Sequence, residues 1–168
     1  GSEDSAIILR GGSQAETNSV ITRDQVPLVS ALDGIAKGED GRPLVSPELS
    51  QVVDLPTVAD GTDANVQLRG VGDQAWKLRP QVKIVEGRRF GSGLRELVVG
   101  RGAQHQFRGI AVGSKIRLGS QDWSVVGAFE SGDSHESELW ADAEVVASTY
   151  NRQAFQSVTV KLQTGDGL

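Results

Sequence analysis

Apolar and polar residues alternate along the start of the chain in short segments that are separated by turns. Residues 6–10 form an apolar run that stops at Gly11, which predicts a buried strand. Residues 24–32 place Pro27 in a first helical turn, where its missing N–H costs no hydrogen bond, and they therefore predict a helix. The predicted apolar face of this helix comprises Leu28, Val29 and Leu32.

Two longer segments follow and predict a pair of strands. Residues 44–55 predict a long strand in which Pro47 confines part of the strand to a sheet edge or a bulge. Residues 65–71 alternate polar and apolar side chains with period two, as a strand with one face in water does. The turn-forming residues 59–63 between them predict that the two strands pair antiparallel.

The middle of the chain changes to short strands at close spacing. These predicted strands cover residues 82–85, 96–99, 115–118 and 123–129. In the last strand, alternation places Trp123, Val125, Gly127 and Phe129 on one face. A short helix over residues 101–108 puts Ala103 and Phe107 on its apolar side. Short strands between glycine-bearing turns are typical of a small barrel-like sheet.

The last part of the chain predicts a strand, a helix and a final strand. Residues 137–140 predict the first strand, and Asp142 is the predicted cap of the helix. The apolar positions of this helix are Ala143, Val146, Ala147 and Tyr150. Residues 155–162 predict the final strand, with Val158, Val160 and Leu162 inward and Thr159 and Lys161 outward. Together, the segments predict an α+β fold.

The composition excludes several classes of protein. The 168 residues are 38% hydrophobic and 23% charged, which indicates a folded chain with a proper core. The net charge of −5, from 17 basic and 22 acidic residues, argues against a surface for nucleic acid or anionic membranes. The absence of cysteine excludes disulfides, a thiolate nucleophile and cysteine-based zinc sites.

The start of the sequence and the lack of methionine predict an excised fragment. Residues 1–2, Gly-Ser, are interpreted as the scar of a cleaved tag. No apolar run approaches the ~18 residues that are needed to span a bilayer. If the parent is a membrane protein, we therefore expect its spans to lie outside this sequence.

Motifs for catalysis or metal binding are scarce. His105 and His135 are far apart and have no zinc-ligand spacing, and His105 is interpreted as a surface residue. The acidic loop 130–138 is either a solvated connection between strands or a site for a cation. Residues 60–65 and 109–115 resemble a calcium loop and a phosphate loop only loosely, so a turn explains each better.

The three tryptophans raise the question of ligand stacking. Trp123 and Trp140 lie within strand patterns, which favours core packing. Trp76 lies in a short helical turn between two regions of the chain, where a contact between these regions and a ligand contact both stay open.

A series of motifs from residue 68 onward resembles a known family. The series comprises residues 68–71 (LRGV), 85–90 (VEGRRF), 96–100 (ELVVG), Ala103, 107–109 (FRG), 112–113 (VG), 116–118 (IRL) and 123–129 (WSVVGAF). In order and spacing it is similar to the periplasmic core domain of MacB-like, or FtsX-like, ABC transporter permeases. Ala128 departs from the valine usual in the family, and the sequence ends where the family has a second porter helix and strand.

The resemblance implies a two-lobed α+β fold. A porter-like βαβ lobe would comprise residues 3–78 with 155–168, C-terminally incomplete, and a small mixed, barrel-like lobe called Sabre would be inserted over residues 79–154. The domain would lie on the extracytoplasmic, periplasmic face of the bacterial inner membrane, between the first two membrane helices of the permease. The expected partners are these helices, a cytosolic ATPase subunit reached through them, and a second permease copy. A periplasmic adaptor, a lipoprotein or a peptide is a further expected partner.

The function implied by the resemblance is passive. The domain would need no cofactor and no catalytic residue, and it would couple ATP-driven helix motion to export, lipoprotein handling or an envelope partner. This function predicts that the two ends of the domain lie close together. One alternative is an extracytoplasmic hydrolase, whose candidate side chains are Glu130, Asp133, His135 and Glu136. The other is a sugar- or peptidoglycan-binding module, which would expose Trp76 or Trp123.

Overall fold

The computed structural model describes residues 5–8, 21–152 and 154–163. Its strands are β1 (Ser5–Ile8), β2 (Ile21–Thr22), β3 (Val45–Pro56), β4 (Asp63–Val71), β5 (Lys83–Gly87), β6 (Glu96–Gly100), β7 (Lys115–Leu118), β8 (Gln121–Glu130), β9 (Leu139–Asp142), β10 (Ala154–Phe155) and β11 (Ser157–Lys161). Its helices are α1 (Gln25–Ser30), α2 (Ala75–Leu78), α3 (Arg101–Gln106) and α4 (Ala143–Thr149), with a 3₁₀ helix at Ser134–Ser137. The predicted α+β class is confirmed. Residues 9–10 of the first predicted strand lie outside the described residues.

One open sheet connects most of the strands. Its order is β1-β11-β3-β4-β9-β6-β8-β5, and β7 pairs with β8 beside this path. β3 and β4 form the predicted antiparallel hairpin, whereas β4 pairs with β9 in parallel. β1 and β11 are antiparallel neighbours, so that Ser5 lies opposite Lys161.

β3 is long enough to serve two neighbours in succession. Its residues 45–48 pair with β11, and its residues 49–56 pair with β4. The sheet therefore has two parts that share one strand. We call β1, β11 and residues 45–48 the β11 part, and residues 49–56 with β4, β9, β6, β8, β5 and β7 the β4 part.

Within the described ranges, three apolar clusters stabilise these parts. The largest lies in the β4 part and includes Leu68, Leu97, Trp123, Leu139 and Val146. A second, aromatic cluster includes Trp76, Val98, Phe129 and Trp140. The third lies on the β11 part and includes Ile21, Ile35, Val45, Val158 and Val160.

The prediction that Trp123, Val125, Gly127 and Phe129 share one face of β8 is wrong. The pairing of β8 with β6 shifts register between Val125 and Gly127, which is a β-bulge with one extra residue on β8. A bulge reverses the alternation, so Ala128 joins Trp123 and Val125 in the largest cluster. Phe129 consequently packs in the aromatic cluster instead, with Val126 against it.

Two other predicted apolar faces also differ from the structure. In α1, Leu28 and the following Leu32 are 68% and 55% exposed, and only Val29 of the predicted face packs on the third cluster. In β11, Thr159 is buried instead of outward, because a charged side chain from the end of α2 lies over it. Alternation along one strand carries no information about what covers its polar face.

Candidate functional site

Among the described residues, four charged side chains, three of them buried and one partly buried, form a network where β3 changes neighbours. Glu48 is the last residue of β3 to pair with β11, and it is only 1% exposed. Arg69 comes from β4, Arg79 follows α2, and Glu138 precedes β9. Buried charges are rare in proteins unless they are paired.

The four side chains form two bidentate ion pairs. Arg79 donates from Nη1 to Glu48 Oε2 at 2.6 Å and from Nη2 to Glu48 Oε1 at 2.7 Å. Arg69 donates from Nε and Nη2 to the two carboxylate oxygens of Glu138, both at 2.8 Å. Between the pairs, Arg69 Nη1 lies 3.7 Å from Glu48 Oε1. Each of the two pairs is thus neutral.

Polar and aromatic neighbours complete the network. Ser46 Oγ donates to Glu48 at 3.1 Å and accepts from the N–H of Gly72 at 2.8 Å. Trp140 Nε1 donates to Glu138 at 2.9 Å, and the guanidinium of Arg79 lies 5.6 Å from the Trp140 ring centroid. A bidentate arginine–carboxylate pair fixes orientation as well as charge. The Arg79–Glu48 pair therefore orients the end of α2 on β3, and the Arg69–Glu138 pair orients β4 beside the start of β9.

Nothing in the pattern of β3 marks Glu48 as buried. Ser46, Glu48 and Ser50 occupy alternate positions that resemble a solvent-facing edge of the strand. The face is covered by α2 and by the segment before β9, which are remote in sequence. The sequence pattern alone therefore does not predict the network.

The structure brings two of the candidate hydrolase residues together. His135 Nδ1 lies 3.1 Å from Asp133 Oδ1. The same Asp133 oxygen accepts from the Ser131 hydroxyl at 2.5 Å and from the backbone N–H of His135 at 3.0 Å. Glu136 instead accepts from the backbone N–H of Gly132 within the same turn, and Glu130 ends β8. These bonds close a local turn around Asp133.

The hydrogen bonds keep Asp133 ionised. Partial burial raises its pKa, but the bonds from Ser131 and His135 outweigh burial and lower the pKa to about 2. An efficient general acid or base has a pKa near the working pH. Asp133 is therefore poorly suited to proton transfer near neutral pH, and its arrangement is typical of a structural turn.

The low pKa of Asp133 predicts a pH effect on stability. A carboxyl whose pKa is lowered on folding stabilises the fold above its ordinary pKa of 3.8, and this contribution disappears as the pH falls towards about 2. We expect Asp133→Asn to flatten the loss of stability between about pH 4 and pH 2. Urea unfolding midpoints across this range measure the effect. Equal slopes for the two proteins would contradict it.

The remaining candidate residues, three tryptophans and a histidine, have positions that need no functional explanation. Trp123 and Trp140 are buried in the core, which confirms their interpretation. Trp76 is 7% exposed and packs 5.5 Å from Trp140 and 5.6 Å from Phe90, between ring centroids, so it offers no open stacking platform. His105 is exposed on α3, as predicted.

The loops with loose motif resemblance form turns. Asp60 accepts from the hydroxyls of Thr57 and Thr62 and from the N–H of Thr62, a local turn rather than a calcium loop. Lys115 begins β7 rather than a helix. Across residues 21–152 and 154–163, no three histidine, aspartate or glutamate side chains are arranged to hold a metal ion. In the same part of the chain, no helix is long and apolar enough to cross a bilayer.

Solved structures with a similar fold include two transporter domains. The periplasmic region of MacB from Actinobacillus actinomycetemcomitans matches with a TM-score of 0.71 and 15% identity, over 98% of this chain and 78% of that chain. The extracellular domain of the noncanonic ABC-type transporter YknZ from Gram-positive bacteria matches with a TM-score of 0.70 and 15% identity, over 95% of this chain and 83% of that chain. Comparison with curated protein sequences found no match.

The family comparison covers nearly the whole sequence. The model for the MacB-like periplasmic core domain matches residues 2–168. Both structural neighbours are likewise domains outside the cytoplasm. The chain therefore belongs to the family of MacB-like periplasmic core domains, on the extracytoplasmic side of the membrane.

Proposed function

We propose that this domain is a non-catalytic coupling element of an ABC transporter permease. It transmits ATP-driven motion of the membrane helices to export, lipoprotein handling or an envelope partner. Its partners are the permease's own helices, the cytosolic ATPase they contact and a second permease copy. The observation that carries this proposal is the pairing of β1 with β11, which sets Ser5 opposite Lys161.

Because β1 pairs with β11, the two connections to the membrane helices reach the domain at the same place. A domain inserted between two membrane helices receives their motion where the chain enters and where it leaves. With β1 and β11 hydrogen-bonded side by side, both connections act on the same end of the sheet. β3 then joins that end to the β4 part, and the two ion pairs lie on either side of the junction.

The chemistry of the candidate residues supports a passive role. The carboxylate of Asp133 is engaged by its own turn, and both buried glutamates of the network are held by arginines. Catalysis requires a reactive group that is both accessible and suitably protonated. Coupling requires only two conformations with different energies in two states of the ATPase.

Flexible linkers provide the test of this proposal. A glycine-serine linker inserted in the full-length permease on both sides of residues 5–163 would leave the domain folded but slacken its two connections. We expect the assembled transporter to keep hydrolysing ATP and to lose the ability to rescue a strain that lacks the permease.

A matched insertion controls for the added residues. The same linker placed in the exposed turn at residues 92–94, away from both connections, should preserve rescue. Full rescue by the permease with both flanking linkers would overturn the proposed function.

A further inference from the structure

We propose that β3 is a hinge at Glu48–Leu49, and that the contact between Arg69 and Glu48 is the one that opens when the two parts of the sheet rotate. This inference rests on the proposed coupling function. It names the place in the domain where the transmitted motion occurs.

The backbone pairing of β3 allows a bend at this point. Glu48 pairs with Ser157 of β11, and Leu49 is the first residue to pair with β4, at Gly70. No residue of β3 is shared by the two ladders. A change of angle between Glu48 and Leu49 therefore breaks no hydrogen bond of either ladder.

The charges of the network are distributed so that opening the contact between Arg69 and Glu48 leaves neither of these residues without an ion-pair partner. The pair of Arg79 with Glu48 belongs to the β11 part, because Glu48 pairs with β11 and Arg79 also donates to Thr159 of β11 at 3.3 Å. α2 itself contacts both parts, since its Trp76 packs in the aromatic cluster. The pair of Arg69 with Glu138 belongs to the β4 part, since it joins β4 to the segment before β9. Each pair is neutral and bidentate, with bonds of 2.6–2.8 Å.

The connection between the pairs is much weaker. Arg69 Nη1 and Glu48 Oε1 are 3.7 Å apart, beyond hydrogen-bond distance. Separating two oppositely charged groups in a protein interior is costly when it leaves either one unpaired. Here the separation divides four charges into two neutral pairs, so the costly step is avoided.

The other contacts between the β11 part and the β4 part tolerate small movements. Trp140 packs against Trp76 with ring centroids 5.5 Å apart and against the guanidinium of Arg79 at 5.6 Å. Such contacts have little directional preference compared with a bidentate ion pair. Among the described residues, hydrogen bonds from Gly72 N to Ser46 Oγ and from Ser50 N to Gln156 Oε1 also cross, and in each the acceptor is a side-chain atom. An exposed ion pair between Arg23, next to β2, and Glu144 of α4 crosses as well, and exposed pairs of this kind contribute little to stability.

Distance measurements between spin labels test the hinge in the full-length permease with its ATPase. The 168 residues contain no cysteine, so labels can be attached to introduced cysteines in the domain. Lys37→Cys with Gln121→Cys places exposed labels on the two sides of the hinge, because the neighbouring Ala36 is hydrogen-bonded to Lys161. Val52→Cys with Gln121→Cys is the control pair, since both residues belong to the β4 part.

The hinge predicts a shift of the first distance and none of the second. We expect the Lys37–Gln121 distribution to move between the nucleotide-free transporter and the transporter trapped with an ATP analogue. Unchanged distributions for both pairs would overturn the hinge. The linker experiment would still decide the coupling function separately, since a domain that moves as one rigid body also couples.

A double substitution tests the named contact. Arg69→Met with Glu138→Leu removes one neutral pair and leaves the pair of Arg79 with Glu48 intact. Without the restraint on Glu48, we expect the nucleotide-free Lys37–Gln121 distribution to broaden, while the control distribution stays narrow and reports a folded β4 part. A narrow, unchanged Lys37–Gln121 distribution would show that the contact does not restrain the hinge.

Discussion

Replacement of Glu48 by leucine will lower the free energy of unfolding by about 3–5 kcal/mol, the usual cost of removing one partner from a buried ion pair. The substitution leaves the guanidinium of Arg79 without its bidentate acceptor in a site where Arg79 is itself only 9% exposed. It also removes the carboxylate that lies beside Arg69. Chemical denaturation of the isolated domain measures the change.

Two further variants separate charge from packing. Glu48→Leu with Arg79→Met removes the whole neutral pair, and we expect it to recover much of the lost stability, because no charge remains unpaired. Asp122→Asn removes a carboxylate from the exposed pair with Arg117 and should change stability little. A Glu48→Leu protein as stable as wild type would contradict the account of the network.

Gly87→Ala has the second large expected effect. Gly87 has a φ of +71° and pairs with Gly127 where β5 meets β8. An added Cβ would overlap the carbonyl oxygen of Val126, which belongs to the backbone and has no flexible end to move. Left-handed strain and overpacking together should cost roughly 3 kcal/mol in the free energy of unfolding.

Gly132→Ala is the matched control. Gly132 has the same φ of +71°, but an added Cβ there meets nothing within 4 Å. This variant should therefore lose only the cost of the left-handed conformation, about 1 kcal/mol. The difference between the two variants, measured by thermal or chemical unfolding, isolates the close approach of the strands. Equal losses of unfolding free energy in the two variants would show that the left-handed backbone conformation alone explains the need for glycine at position 87.

The strands were predictable because alternation and glycine-bearing turns are local signals. Residues 65–71 alternate cleanly and form β4, and Asp142 caps α4 as predicted, with its Oδ1 accepting from the N–H of Glu144 at 2.8 Å. The order of the motifs from residue 68 onward also pointed to the family that the comparison of the whole chain shows.

The features that the sequence did not predict depend on contacts between segments that are remote along the chain. The bulge in β8 arises from pairing with β6, so the strand's own alternation misplaced Phe129. The burial of Glu48 depends on α2 and on the segment before β9, more than twenty residues away along the chain. Leu28 is apolar and helical, yet 68% exposed, and no local pattern tells a covered face from an uncovered one. The division into residues 3–78 with 155–168 and residues 79–154 stays a prediction.

The proposed coupling function requires this domain to move with the ATPase cycle. The most direct measurement is the distance between spin labels at Gln121→Cys in the two permease copies of the assembled transporter, because Gln121 is exposed on the β7–β8 hairpin of the β4 part. We expect this distance to differ between the nucleotide-free state and the state trapped with an ATP analogue. The same distance distribution in both states would contradict it.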